Sequence, residues 1–89
     1  MTQDRCIHGL EMMARTAREN GAEMSVELAH AGRGSNSTPG NPALAPSDVP
    51  LNGGPLGYIK PMNEEDMAFV RQQFVDCAVR CQKAGLKII

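Results

Sequence analysis

The apolar positions between Asp4 and Asn20 recur at steps of three and four: Ile7, Leu10, Ala14 and Ala17, with Met13 widening the stripe. That is the period of a helix with one buried face. Asn20-Gly21 closes it, because a glycine just past the last periodic residue takes the left-handed conformation that a helix end favours. From Glu23 to Ala29 the step changes to two, with Met24, Val26 and Leu28 on one side and Ser25, Glu27 and Ala29 on the other. This predicts a short strand. Its second face carries small residues around a single carboxylate, a pattern that suits a strand enclosed on both sides.

Residues 30–63 hold all six prolines and six of the nine glycines and keep neither period, so they read as one long connection. Connections beyond about 12 to 15 residues are uncommon in compact domains and tend to be binding loops, lids or linkers. A missed element is the remaining option, and Ala45 to Leu51 has the composition for a short strand. Asn63 before Glu64, Glu65 and Asp66 is an N-cap followed by acids where the helix dipole favours them. The second helix carries a stripe of Met67, Val70, Phe74, Cys77, Ala78 and Cys81, with Arg71, Gln72, Asp76, Arg80 and Lys83 mostly opposite. Ala84-Gly85 ends it, and Leu86 to Ile89 begins a second apolar strand.

Helix, strand, long loop, helix and strand start make an α/β alternation, which predicts parallel strands joined by crossover helices. Two helices cannot cover both faces of such a sheet. Composition tightens this picture. Eighty-nine residues allow one small domain at most, and the core is thin. Nine Lys plus Arg against ten Asp plus Glu leave a net charge of −1, so no electrostatic footprint points to nucleic acid or an anionic membrane. Aromatic content is 3% with no Trp, and six Met residues take up part of the packing role. The chain has no long apolar run and a polar beginning, which makes the cytoplasm the expected compartment. Cys6, Cys77 and Cys81 form neither an even set nor a CxxC pair, so reduced thiols are expected.

Candidate chemistry is sparse. Gly32-Arg33-Gly34 follows a strand like the start of a dinucleotide fingerprint, but position 37 is Ser and no helix opens there. Cys77 and Cys81 stand one helical turn apart and would supply only two metal ligands, so their place on the apolar stripe is better explained by packing. His30 and Arg33 follow the first strand directly, where parallel sheets collect ligand contacts. Each also has a plain reading as a loop residue that ties down backbone. Glu27 points away from Met24, Val26 and Leu28, toward the interior of any barrel the strand joins. It is either a ligand contact at the strand's C-terminal mouth or a structural carboxylate with an ion partner or water.

The run Val26-Glu27-Leu28-Ala29-His30-Ala31-Gly32-Arg33, then Ala45-Pro46-Ser47, then Met62-Asn63-Glu64-Glu65-Asp66 with Phe74, Ala78 and Ala84-Gly85, resembles the old yellow enzyme family. More narrowly it is similar to the NADH:flavin oxidoreductase branch, which includes the 2,4-dienoyl-CoA reductases and relatives of trimethylamine dehydrogenase. The resemblance implies a (β/α)8 TIM barrel holding FMN at its C-terminal mouth, with hydride passing from NAD(P)H to flavin and on to an activated C=C bond. Such a barrel needs about 250 residues, so this chain corresponds to roughly a third of one and is expected to be inactive alone. The resemblance also implies that Glu27 is a cofactor contact. Relatives commonly carry Gln at that position. An ionised Glu accepts from flavin N3–H without the amide's donor, and its charge is expected to lower the flavin's reduction potential. Outside the flavin reading, the chain would be a small interaction module or a non-functional truncated product, and exposed strand edges would favour self-association.

Overall fold

The computed structural model describes residues 3–49 and 58–89. In chain order it holds α1 (Cys6–Glu19), a 3₁₀ turn (Gly32–Gly34), β1 (Ala43–Ala45), β2 (Ile59–Pro61) and α2 (Glu64–Lys83). The chain divides into two compact units, residues 1–28 with 71–89, and residues 29–70. Among the described residues no helix is long and apolar enough to cross a membrane.

The first unit is organised by two helix ends of identical design. At the end of α1, Gly21 (φ +79) lets its own N–H reach Arg18 O at 3.1 Å and lets Ala22 N–H reach Ala17 O at 2.9 Å. At the end of α2, Gly85 (φ +81) does the same, its N–H meeting Gln82 O at 2.9 Å while Leu86 N–H meets Cys81 O at 3.0 Å. Both are the paired bonds of a Schellman close, which satisfies the last carbonyls of a helix and turns the chain sharply out of it. The two emerging segments then meet side by side. Ser25 and Ile88 form a parallel bridge, with Val26 N–H on Ile88 O at 3.2 Å.

Between helices and segments lies the core: Ala14, Cys81 and Leu86 are buried, with Leu10, Met24, Val26 and Leu28 packed against them. Arg18 laces this end together. Its guanidinium meets Glu23 Oε1 at 2.8 Å and donates to the Gly85 carbonyl, which spans both helix closes. Lys87 adds a looser contact to Glu23 at 3.9 Å. At the other end of α1, Arg80 Nε holds Asp4 at 2.9 Å.

The second unit is a small parallel sheet. β1 and β2 pair with Ala43 opposite Ile59 and Ala45 opposite Pro61. Bonds from Ala43 N–H to Tyr58 O and from Met62 N–H to Ala45 O, both 2.8 Å, frame the pair. Pro61 has no N–H to give, and it stands at the end of a strand where none is needed. Asn63 and Asp66 cap α2 reciprocally: Asn63 Oδ1 accepts Asp66 N–H at 2.8 Å, and Asp66 Oδ2 accepts Asn63 N–H at 3.1 Å. Lys60 Nζ sits 2.6 Å from the same carboxylate.

Four expectations change. The strand expected over 23–29 keeps its alternation, with Met24, Val26 and Leu28 half-buried and Ser25, Glu27 and Ala29 exposed, yet among the described residues it forms only the Ser25–Ile88 bridge. A ladder needs a run of successive pairs, and a single bridge does not make one. Inside 30–63, expected as a single connection, lie the 3₁₀ turn and both three-residue strands, too short to reveal a period. The strand considered over 45–51 is not formed at 46–49, Ala45 being the last residue of β1, and residues 50 and 51 lie outside the described residues. Finally, Met13 and Met67, assigned to buried stripes, are 59% and 50% exposed. The core meets α2 through Cys81, near its C-terminal end, so Met67 in the first turn lies outside the buried cluster.

Candidate functional site

Glu27 belongs to the first unit. Alternation along the extended segment turns its side chain away from Met24, Val26 and Leu28, and it is exposed. The segment's direction is set by the Gly21 close, so the carboxylate is placed by helix chemistry several residues upstream. An ionised carboxylate is acceptor-only, so an exposed one suits an N–H donor of a ligand. Its neighbour in charge, Glu23, is spoken for: the Arg18 hydrogen bonds hold its carboxyl below the ordinary range against an opposing effect of burial, with the charges of Arg18 and Lys87 adding less.

His30 and Arg33 belong to the second unit and share one turn. His30 Nδ1 accepts the Gly32 N–H at 3.2 Å. Gly32 has φ +55, the left-handed region open to glycine at little cost. The turn closes with Gly34 N–H on Ala31 O and Ser35 N–H on Gly32 O, both 3.0 Å. Arg33 Nη1 donates to the Val49 carbonyl at 3.2 Å, which matches the loop-tying reading weighed for it from sequence. The sequence offered no signal for that partner, because a backbone carbonyl sixteen positions away has no side-chain signature.

The cysteines take structural places. Cys81 is buried, and that burial, followed by the proximity of Cys77, pushes its thiol up, away from the reactive thiolate. Among the described residues, no group of three His, Cys, Asp or Glu side chains could hold a metal ion. Arg80, missed by sequence reasoning as anything but a polar-face residue, has a buried Nη1 with no acceptor among the described residues, while its Nε serves Asp4. Asp66 is held below the ordinary carboxylate range by Lys60 first and by the Asn63 backbone N–H second.

Comparison with known proteins gives the context for these residues. The family described as "NADH:flavin oxidoreductase / NADH oxidase family" matches residues 1–89. An NADPH dehydrogenase of Geobacillus thermodenitrificans (strain NG80-2) is 40% identical over 84 residues, covering 93% of this chain and 24% of that protein. An NADPH dehydrogenase of Geobacillus sp. (strain WCH70) is 34% identical over 86 residues, covering 97% of this chain and again 24% of the relative. The chain thus spans about a quarter of the length of these relatives. No solved structure matches significantly.

Proposed function

Because the chain belongs to the NADH:flavin oxidoreductase / NADH oxidase family, we propose that it is one stretch of a flavin-dependent (β/α)8 barrel and is inactive as a catalyst alone. The observation that carries this reading is the family match over every residue, joined to an α/β order with parallel strands. FMN, when bound, supplies the relay of hydride from NAD(P)H to an activated C=C bond. The residues here fit such a group in one respect: Glu27 is an exposed acceptor on the face turned away from the core. Its role is to accept the N–H of the flavin's pyrimidine ring and to place negative charge beside it. His30 and Arg33 shape the backbone that follows.

The inactivity reading rests on coverage. A segment that is 24% of a relative's length supplies part of a cofactor site and little of a substrate pocket. Titrating FMN into the chain, followed by quenching of flavin fluorescence, tests the contact: weak binding that Glu27→Ala weakens further is expected. Binding indifferent to that substitution removes Glu27 from the site. Steady NADPH consumption by the chain with added FMN overturns the inactivity.

A second reading, a non-catalytic interaction module, draws support from exposed apolar side chains on both helices, among them Met12, Phe69, Val75 and Val79. A colourless, stable dimer without affinity for FMN would favour it.

A further inference from the structure

His30 has a property that the flavin reading leaves unused, namely which of its two ring nitrogens carries the proton. Nδ1 receives the Gly32 N–H at 3.2 Å. A ring nitrogen that accepts from an amide has its lone pair in the bond and bears no hydrogen. Neutral imidazole has one proton to place, so it sits on Nε2.

The same bond has a structural consequence. Ala31 opens the 3₁₀ turn without any side-chain cap of its own. The polar side chain on Gly32 N–H is therefore that of His30, two residues earlier, in the way an Asx side chain closes a turn onto the backbone ahead of it. Gly32, held at φ +55, then directs Ser35 N–H back to its own carbonyl and delivers Arg33 to the Val49 carbonyl. A Cβ at position 32 would meet Leu44 O at an ordinary 3.9 Å, so the glycine is needed for its backbone angle and not for space.

We infer that His30, an exposed residue, is a positioning residue locked as the Nε2–H tautomer: Nδ1 sets the Gly32–Gly34 turn, and the Nε2–H is a donor for an oxygen acceptor on a bound ligand. The donor half rests on the flavin-site reading, and the turn-setting half stands apart from it. The assignment excludes His30 as a general base in its resting state, since one nitrogen is engaged and the other already protonated. Ligand groups that fit are carbonyl, carboxylate or phosphate oxygens.

Long-range proton–nitrogen NMR correlation on the whole chain, at a pH above the imidazole titration range, reads the tautomer directly. Protonated Nε2 and bare Nδ1 are expected, and the reverse overturns the inference. Two substitutions separate turn from donor. His30→Asn keeps an acceptor oxygen within reach of Gly32 N–H, whereas His30→Leu removes it. Gly32 amide exchange should quicken about five- to tenfold in His30→Leu, as the loss of one hydrogen bond implies, and stay near the unsubstituted rate in His30→Asn. Unchanged exchange in His30→Leu overturns the positioning role. FMN that binds, by fluorescence quenching, without moving the Nε2 resonance overturns the donor role. FMN that does not bind counts against the flavin reading, while the tautomer and exchange measurements still decide the turn.

Discussion

Glycine at 21 and 85 shows how much of this molecule rests on single backbone angles. Nothing lies within 4 Å of a Cβ built at Gly21, so alanine there meets only the cost of φ +79. For an L-residue that cost is about 1–2 kcal/mol. Gly21→Ala is therefore expected to loosen the α1 close, read as faster exchange of the Ala22 amide, and the same substitution at Gly85 should free the Leu86 amide. Carboxylates make a second set of dependences. Glu23 and Asp66 both titrate below their ordinary range in the folded chain, because Arg18 and Lys60 favour their charged forms. A folded pKa below the unfolded one means stability that is complete above the ordinary carboxylate range and lost as pH falls through the folded value. Unfolding followed against pH should thus show falling stability on the acid side of that range. Glu23→Gln and Asp66→Asn should each flatten the curve. Spacing in the sequence announced the glycines, the Asn63 cap and the turn of Glu27 away from Met24, Val26 and Leu28, whereas the exposure of Ser25, Glu27 and Ala29 runs against the enclosure expected on both sides. It was silent on Arg18, whose partner Gly85 O is sixty-seven positions distant.

Helix α2 is the element with the clearest local specification, yet Cys81 alone among its twenty residues is fully buried. Its cap is reciprocal and its first turn holds three acids, so Asn63→Ala should cost about 1 kcal/mol, visible as lost helicity at the first turn. Its apolar stripe is covered chiefly near Cys81, while Phe69, Val75 and Val79 face outward. Leu86, just past the helix, does more for the core than any residue of its first half. Leu86→Ala removes a side chain that is 5% exposed and packed at the junction of both helix closes. A loss of about 2–3 kcal/mol is expected by denaturant unfolding, the lower part of the range for such truncations because the surrounding core is thin. The extended segments were legible as alternation but not as a paired ladder. Alternation records which face is apolar, whereas pairing depends on how much partner backbone arrives alongside. β1 and β2 were not legible as elements, since three residues cannot display a period.

In the chain as a whole, large apolar side chains stand in water on both helices and after α2, with Met12, Met13, Ile88 and Ile89 each more than half exposed. An exposed strand edge beside such residues pairs readily with another copy. Sedimentation should accordingly show concentration-dependent association, and thermal unfolding should be broad; a sharp, reversible monomeric transition would count against this. The family assignment was readable from residues 26–33 and 62–66 before any coordinates, since those side chains and their spacing travel with the chain. Helix ends, the turn of Glu27 away from Met24, Val26 and Leu28, and the stripe toward Cys81 were readable for the same reason: each depends on neighbours within a few positions. The geometry of His30 on Gly32, Arg33 on Val49, Arg18 on Gly85 and the short β1–β2 pair belongs to the folded state. Those contacts need backbone angles, or backbone atoms far along the chain, brought into place by folding. Main-chain N–H and C=O groups are the same at every residue, so no pattern of side chains announces which of them will meet.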